Sequence, residues 1–303
     1  MMDGVLSLWL DFQDLLSKDW NAERSFVRLL FLPVIFSGFG AYFGAKAAAW
    51  QRDREQTYAS AKDSLHQLSD LSVMTGSLCN LILTLKKQQV RDLANNYVID
   101  RTRVSHHFGI PTLNKELLSV RFDLQTISPP PLDSGVIASS IARFKNRGAS
   151  DYLQATAIHQ SCDNIIKLLE RRNEWIADFK KRQMELGEWE RLALYFGFPL
   201  NSNSVDLEYR GLVEGLANAT DDAIFHSYKL YGRLTTQLVH SAVSFEKKYR
   251  ERFKFSFLNF EPSRDFLPSM DSYATWLNEA SQVPRKRWFG LNKWKQDVLN
   301  KIG

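Results

Sequence analysis

The side chains best suited to nucleophilic or metal chemistry are six histidines and two cysteines, and their spacing brings few of them together. His159 and Cys162 lie three residues apart in a helical pattern, a spacing that can place two metal ligands on one face. Zinc sites usually take three or four ligands, and no second pair has comparable spacing. Cys162 also belongs to an apolar stripe, so we expect Cys162 and Cys79 to be buried free thiols. The sequence therefore predicts no metal and no cofactor.

Two adjacent histidines offer a second kind of chemistry. His106 and His107 precede Gly109 and Pro111, and the pattern predicts a loop, where functional residues concentrate. A proton sensor or a catalytic histidine would fit there, but the sequence identifies no acidic or nucleophilic partner. A membrane-tethered hydrolase or nuclease using the His106–His107 loop is one alternative function. An exposed loop without catalytic activity explains the same residues more simply.

The carboxylates and the remaining histidines supply no recognisable active site. His226 and His240 lie four helical turns apart, ~21 Å, which is too far for joint action within one helix. The sequence contains no Glu-x-x-His pair, no GxSxG, no HExxH and no phosphate-binding loop. We therefore assign no catalytic residue and expect the following acidic side chains to be solvated: Glu185, Glu188, Glu190, Asp221 and Asp222.

Positive charge is concentrated at the C-terminal end of the chain. The net charge of the whole chain is +5, and residues 284–303 carry six Lys or Arg against one Asp. Residues 291–302 predict a short amphipathic helix, which suits the surface of an anionic bilayer. The candidate lipid- or partner-binding residues are Arg285, Lys286, Arg287, Trp288, Trp294 and Lys295. Packing of the two Trp on the helical body and single-strand nucleic-acid binding are the alternatives, and the near-neutral remainder argues against a nucleic-acid partner.

Helices must position these residues, and the first long apolar segment of the chain predicts a membrane anchor. Leu29–Ala45 reads LLFLPVIFSGFGAYFGA, seventeen residues without a charge, bracketed by Arg28 and by Trp50 and Arg52. About 20 apolar residues cross the hydrocarbon core, and Lys46 can reach the headgroups from near the end of the span. A core helix should show a polar face, and a signal peptide should have a short basic start; both alternatives fit less well.

One face of the predicted anchor carries small residues. Gly40 and Gly44 form a GxxxG pair, extended by Ala41 and Ala45, which would let two backbones approach closely in lipid. Before the anchor, the apolar spacing in residues 3–20 predicts a separate amphipathic helix, either at the interface or packed on the helical body.

The remainder of the chain predicts long helices. Apolar residues recur every three or four positions from residue 51 for about forty-five residues, with Gly76 as the one weak point. Residues 113–127 and 134–145 predict shorter helices, and residues 150–196 and 205–252 predict two further long ones. Short connections should make neighbouring long helices antiparallel. The expected class is all-α, with a single N-terminal transmembrane helix followed by an elongated, coiled-coil-like bundle.

The sequence thus divides into residues 1–23 (amphipathic helix), 24–50 (anchor), 51–255 (bundle) and 256–303 (aromatic and basic tail). It predicts a single-pass protein of the inner (plasma) membrane with a cytoplasmic body, because anionic lipid faces the cytoplasm and would attract the tail. The expected function is membrane-anchored interaction, through oligomerisation or a protein partner, with an effector or sensor role as its sharper form. Membrane lipids and a protein partner, which would include a second copy, are the expected partners.

Overall fold

In the computed structural model of the chain, the described residues are 25–107, 120–143, 148–200, 204–269 and 271–274. They are all-α, as the sequence predicts, and within these ranges the only β-type pairing is one isolated bridge between Pro199 and Val205. The chain divides into two compact units, Met1–Asp63 (unit 1) and Ser64–Gly303 (unit 2). The predicted N-terminal amphipathic helix, residues 1–23, lies outside the described residues.

The first helix is long because no residue after Pro33 interrupts the helical pattern. Helix α1 is Ser25–Leu85, a π-helical turn follows at Lys86–Val90, and helix α2 is Arg91–His107. In unit 2, α1 buries Leu65, Leu68, Leu71, Leu78 and Leu85, which belong to the stripe predicted from the sequence. The helical path therefore extends past the predicted forty-five residues, and the π-turn is where it changes geometry.

Two further helices form the centre of unit 2. Helix α4, Ala149–Arg182, packs along helix α6, Glu208–Tyr249. Arg171, late in α4, pairs with Glu208 at the start of α6, and Asp151, at the start of α4, pairs with Arg233 in the second half of α6, so the two helices run antiparallel. In each helix the sequence places apolar residues at spacings of three, four or seven, which predicts a buried face, and this prediction is confirmed. The buried residues are Ile158, Cys162, Ile165, Leu169, Ile176 and Phe179 in α4, and Leu216, Ala223, Leu230, Leu234, Leu238 and Phe245 in α6.

The two shorter helices complete the packing of unit 2. Helix α3, Gly135–Arg143, lies on α4, and helix α5, Glu188–Phe196, lies on α6. The predicted single helix over residues 150–196 is therefore wrong: α4 ends at Arg182 and α5 begins at Glu188. The Gly187 N–H donates to Glu190 Oε2 at 2.9 Å, which caps the new helix start.

The predicted helix over residues 113–127 is wrong in its described part. Residues 120–134 have no regular secondary structure and lie on α4 through side-chain hydrogen bonds. Asn173 pairs with both main-chain groups of Ile127, accepting from its N–H at 3.0 Å and donating to its carbonyl at 2.8 Å. Tertiary hydrogen bonds therefore satisfy main-chain groups that a helix would otherwise have satisfied.

Candidate functional site

The predicted anchor-packing residues lie on α1 in unit 1, with open space around them. A Cβ atom added at Gly40 or at Gly44 would meet nothing within 4 Å, and Ala41 and Ala45 are exposed. The predicted tail residues from Arg285 to Lys295 lie outside the described residues.

Exposed aromatic rings distinguish this part of α1. The exposed fractions of Phe36, Phe39, Tyr42 and Phe43 lie between 58% and 64%, and residues 36–57 are exposed throughout. Clusters of exposed apolar side chains on soluble proteins often mark contact surfaces. The rings therefore indicate a surface that something else covers.

By length and composition, one continuous helical stretch of the described residues could cross a membrane: Phe36–His106, which comprises α1 from Phe36, the π-turn and α2 up to His106. Its most apolar eighteen-residue stretch has a mean hydropathy of 1.4 and is 56% buried. Core helices of soluble proteins and N-terminal signal sequences meet the same criterion. Since residues 36–57 are exposed, that half-buried stretch belongs to the part of α1 that packs in unit 2. The exposed rings, and not this stretch, are the structural observation relevant to the predicted anchor.

The two cysteines are buried and free, as predicted. Burial raises the pKa of the Cys162 thiol to about 12. His159 Nδ1 lies 3.1 Å from the Ser134 hydroxyl and 3.8 Å from an Asp163 carboxylate oxygen. Both contacts use the same ring nitrogen, so the three residues lack the relay geometry of a catalytic triad, in which Ser and Asp face opposite nitrogens. No group of three possible metal ligands occurs among the described residues.

The predicted loop around the paired histidines is wrong at its start. His106 and His107 form the last residues of helix α2. The hydrolase alternative depended on a loop at these positions, and the exposed His106 side chain instead lies at a helix end. Residues 108–119, which include Gly109 and Pro111, lie outside the described residues.

Three of the five carboxylates that the sequence predicted to be solvated have partners, and one of them is Glu190, which accepts from the Gly187 N–H. The other two lie on α6. Asp221 pairs with Lys86 of the π-turn at 2.5 Å, and Asp222 accepts a 2.8 Å hydrogen bond from the Tyr273 hydroxyl. His226, one turn further along α6, is largely buried, and burial lowers its pKa although the nearby Asp222 acts in the opposite direction.

A buried arginine of α4, which the sequence did not reveal, holds the irregular segment 120–134 against this helix. The Arg172 side chain is fully buried, donates to the Gln125 carbonyl at 2.8 Å and to the Asp123 carbonyl at 3.3 Å, and lies over the Tyr209 ring. The Tyr209 hydroxyl donates to the same Asp123 carbonyl, and the Asp123 N–H donates to the Tyr195 hydroxyl. Burial raises the pKa values of Tyr195 and Tyr209, so this network is held by neutral phenols.

A further interaction site of unit 2 is a groove between α1 and α6 that the chain itself fills. After α6 ends, residues 251–269 and the turn Asp271–Tyr273 (the strap) follow the groove back along both helices. Phe253 meets His66 with ring centroids 4.9 Å apart, and Leu258 lies against Gly76. The strap thus begins at the end of unit 2 where the chain enters from Ser64.

A notch in α1 makes this docking possible. A Cβ atom built at Gly76 would lie 2.5 Å from Leu258 Cδ1 and 2.9 Å from two carbons of the Tyr231 ring. The Tyr231 hydroxyl accepts from the Leu258 N–H at 2.7 Å and donates to the Leu258 carbonyl at 3.2 Å. Gly76, predicted as a weak point of the helix, is therefore the position at which the strap approaches α1.

The far end of the strap is fixed at the π-turn. Lys86 Nζ donates to the Phe266 carbonyl at 2.9 Å while it pairs with Asp221, and the Arg91 guanidinium lies 4.5 Å from the Phe266 ring centroid. The Tyr273 ring stacks on Phe225 with centroids 3.8 Å apart and planes 6° apart. The π-turn thus positions a cation at the groove, which agrees with the tendency of such turns to occur at functional positions.

The described residues define an all-α protein whose unit 2 is a helical bundle closed by its own C-terminal strap. No family model, curated protein or solved structure matches the chain. The exposed rings of α1 and the strap are the features of the described residues that point to a function.

Proposed function

We propose that this chain is a single-pass, membrane-anchored helical interaction protein. Its anchor, residues 24–50, holds the protein in the inner (plasma) membrane, and its helical body oligomerises or binds a protein partner at the membrane surface. The observation that carries the proposal is the set of exposed aromatic rings from Phe36 to Phe43 on a helix whose uncharged run begins at Leu29. A helix that is surrounded by lipid can expose such rings on every side, because it needs no polar face toward water.

The tail extends the proposal to lipid headgroups and to orientation. Six positive charges in residues 284–303 favour an anionic surface, which places the body in the cytoplasm. Tyr273 stacks on Phe225 of α6 near the end of the strap, and the tail follows in the sequence. The proposed lipid-binding side chains of the tail are Arg285, Lys286, Arg287, Trp288, Trp294 and Lys295.

Carbonate extraction of membranes tests the anchor. Full-length protein should remain in the pellet, whereas Phe36→Asp with Phe39→Asp should move into the supernatant, since a central Asp costs about 3 kcal/mol in a membrane helix. The matched control is Val98→Asp with Ile99→Asp, which places two acids on exposed apolar positions of α2 in unit 2. The control should stay in the pellet. Release of the unmodified protein by carbonate would show that residues 24–50 do not span the bilayer.

A further inference from the structure

The first part of the strap is extended chain. Phe253 contacts His66 and Leu258 contacts Gly76, so five strap residues cover ten residues of α1. Ten helical residues rise ~15 Å, which is about 3 Å per strap residue and close to the rise of a β-strand. Phe253, Phe255 and Phe257 form a ladder of ring contacts along this stretch.

This extended stretch is held by side chains alone. The main chain of residues 252–257 makes no hydrogen bond to the described part of the chain. The hydrogen bonds that fix the strap come later, at Leu258, Phe266 and Tyr273, and their partners lie on the π-turn or on α6. An identical strap from another molecule would therefore find every one of these contacts in the same groove.

The connection between α6 and the strap is strained. Arg250 has a φ of 57°, in the left-handed region, where an L-residue other than Gly or Asn is disfavoured. This conformation turns the chain back so that the strap can reach the groove of its own molecule. An extended Arg250 would direct the strap away from its own groove and would release the strain.

We propose that the strap is exchanged between two copies of this chain, each strap filling the α1–α6 groove of the other copy. One step rests on the proposed function: membrane anchors would hold the copies in one bilayer and so raise their local concentration. Within unit 2, the strap begins beside His66, two residues after the unit starts at Ser64. Exchange preserves every groove contact and relaxes two hinges in each dimer, which is the usual balance in domain swapping.

Two substitutions of the hinge test the driving force in opposite directions. Arg250→Gly removes the strain of the left-handed conformation and should favour the closed monomer. Arg250→Val increases that strain, because β-branched residues are outliers at positive φ, and should favour the exchanged dimer. Both variants lose the same charge, so each controls for the other. In detergent, the dimer-to-monomer ratio should differ between them by roughly fivefold or more, as about 1 kcal/mol at the hinge implies. Equal ratios would overturn the strained-hinge argument and with it the proposal.

A complementation experiment tests exchange directly. Gly76→Val fills the notch and so damages the groove of one chain. Leu258→Asp places a charge on the strap of the other chain. Neither chain alone can therefore dock an intact strap in an intact groove. Both full-length chains carry Gly40→Ile and Gly44→Ile, which block close packing of the anchors. Mixing the two differently tagged chains should give a 1:1 heterodimer, in which the strap of the first chain fills the groove of the second.

Tag-specific copurification reads out this heterodimer, with far-UV circular dichroism confirming that each chain keeps its helical content. As a second pair that leaves the notch open, Tyr231→Ala (groove) and Leu258→Asp (strap) should also complement weakly. Absence of heterodimer from both mixtures of folded chains would refute exchange. Carbonate extraction of the same samples reports separately on the anchor, so heterodimer formation by an extractable protein would support exchange and reject the membrane proposal.

Discussion

At the residue scale, the groups that looked chemical in the sequence are mostly structural in the fold. Cys162 is buried with its pKa raised to about 12, and His159 bonds Ser134 without a relay to a second ring nitrogen. Arg172 shows what a single sequence conceals. Nothing in its neighbourhood predicts burial, because the carbonyls that it meets, at Asp123 and Gln125, are about fifty positions away and carry no side-chain signal.

His226 should make the stability of the protein depend on pH. Burial lowers its folded pKa, so below about pH 6.5 the unfolded chain takes up a proton that the folded protein resists. The contribution of neutral His226 to stability is therefore complete above pH 6.5 and falls as the pH drops toward the folded pKa, by at most about 1.4 kcal/mol per pH unit.

Thermal unfolding of the detergent-solubilised protein at pH 7.5 and pH 5.5 measures this dependence. The acid destabilisation should be smaller in His226→Gln than in the unmodified protein. His240→Gln, at an exposed position of the same helix, should leave the dependence unchanged. If the two variants respond to acid alike, burial of His226 does not contribute to the acid sensitivity.

At the element scale, periodicity predicted the long helices and their buried faces, but not where two of them stop. The stripe of α4 has the right members, yet residues 183–187 break the predicted helix, because Glu190 caps a new start at Gly187. The signal for that break was a Gly three residues before a Glu. The strap was not predictable from periodicity, since its docking depends on the absence of a side chain at Gly76 and on the Tyr231 hydroxyl.

Gly76→Ala should loosen the strap even though Ala is the better helix former by about 1 kcal/mol. The new Cβ would overlap Leu258 Cδ1 and the Tyr231 ring, which its two hydrogen bonds to Leu258 hold in place. Limited trypsin digestion should therefore cut faster at the exposed Arg252 and Lys254. Gly232→Ala is the matched control, because a Cβ there meets nothing within 4 Å, and it should leave cleavage unchanged.

The double variant Gly76→Ala with Leu258→Ala separates steric overlap from other effects of the substitution. Leu258→Ala removes Cδ1 and so relieves the shortest contact. Trypsin should therefore cut the double variant more slowly than the sum of the effects of the two single variants predicts. Additive effects would mean that Gly76 acts on the strap by some route other than the notch.

At the scale of the whole molecule, composition and hydropathy predicted an all-α class, which is confirmed, and an anchor, which stays a prediction. The number of units and the site required coordinates. The most apolar described stretch of the first helix is half-buried and belongs to unit 2, so hydropathy alone does not distinguish a core stretch from the proposed anchor. Exposure separates them: unit 1 exposes Phe36 and Phe43, while unit 2 buries Leu71 and Ile82 of the same helix. The function proposed for the molecule follows from that contrast.

Proteolysis of oriented vesicles tests on which side of the membrane unit 2 lies. If the basic tail faces anionic cytoplasmic lipid, unit 2 lies in the cytoplasm, and its strap sites Arg252 and Lys254 are on that side. Trypsin should therefore cut unit 2 in inside-out membrane vesicles and leave it intact in sealed right-side-out vesicles or spheroplasts. Replacing Arg285, Lys286 and Arg287 by Gln tests the cause, because it removes half of the positive charges of residues 284–303 without touching the anchor. A cytoplasmic tail should then show weaker crosslinking to anionic lipid, by about 1 kcal/mol for each lost cation, with the anchor still resistant to carbonate. Cleavage from the outer face would reverse the proposed topology and leave the tail without its anionic surface.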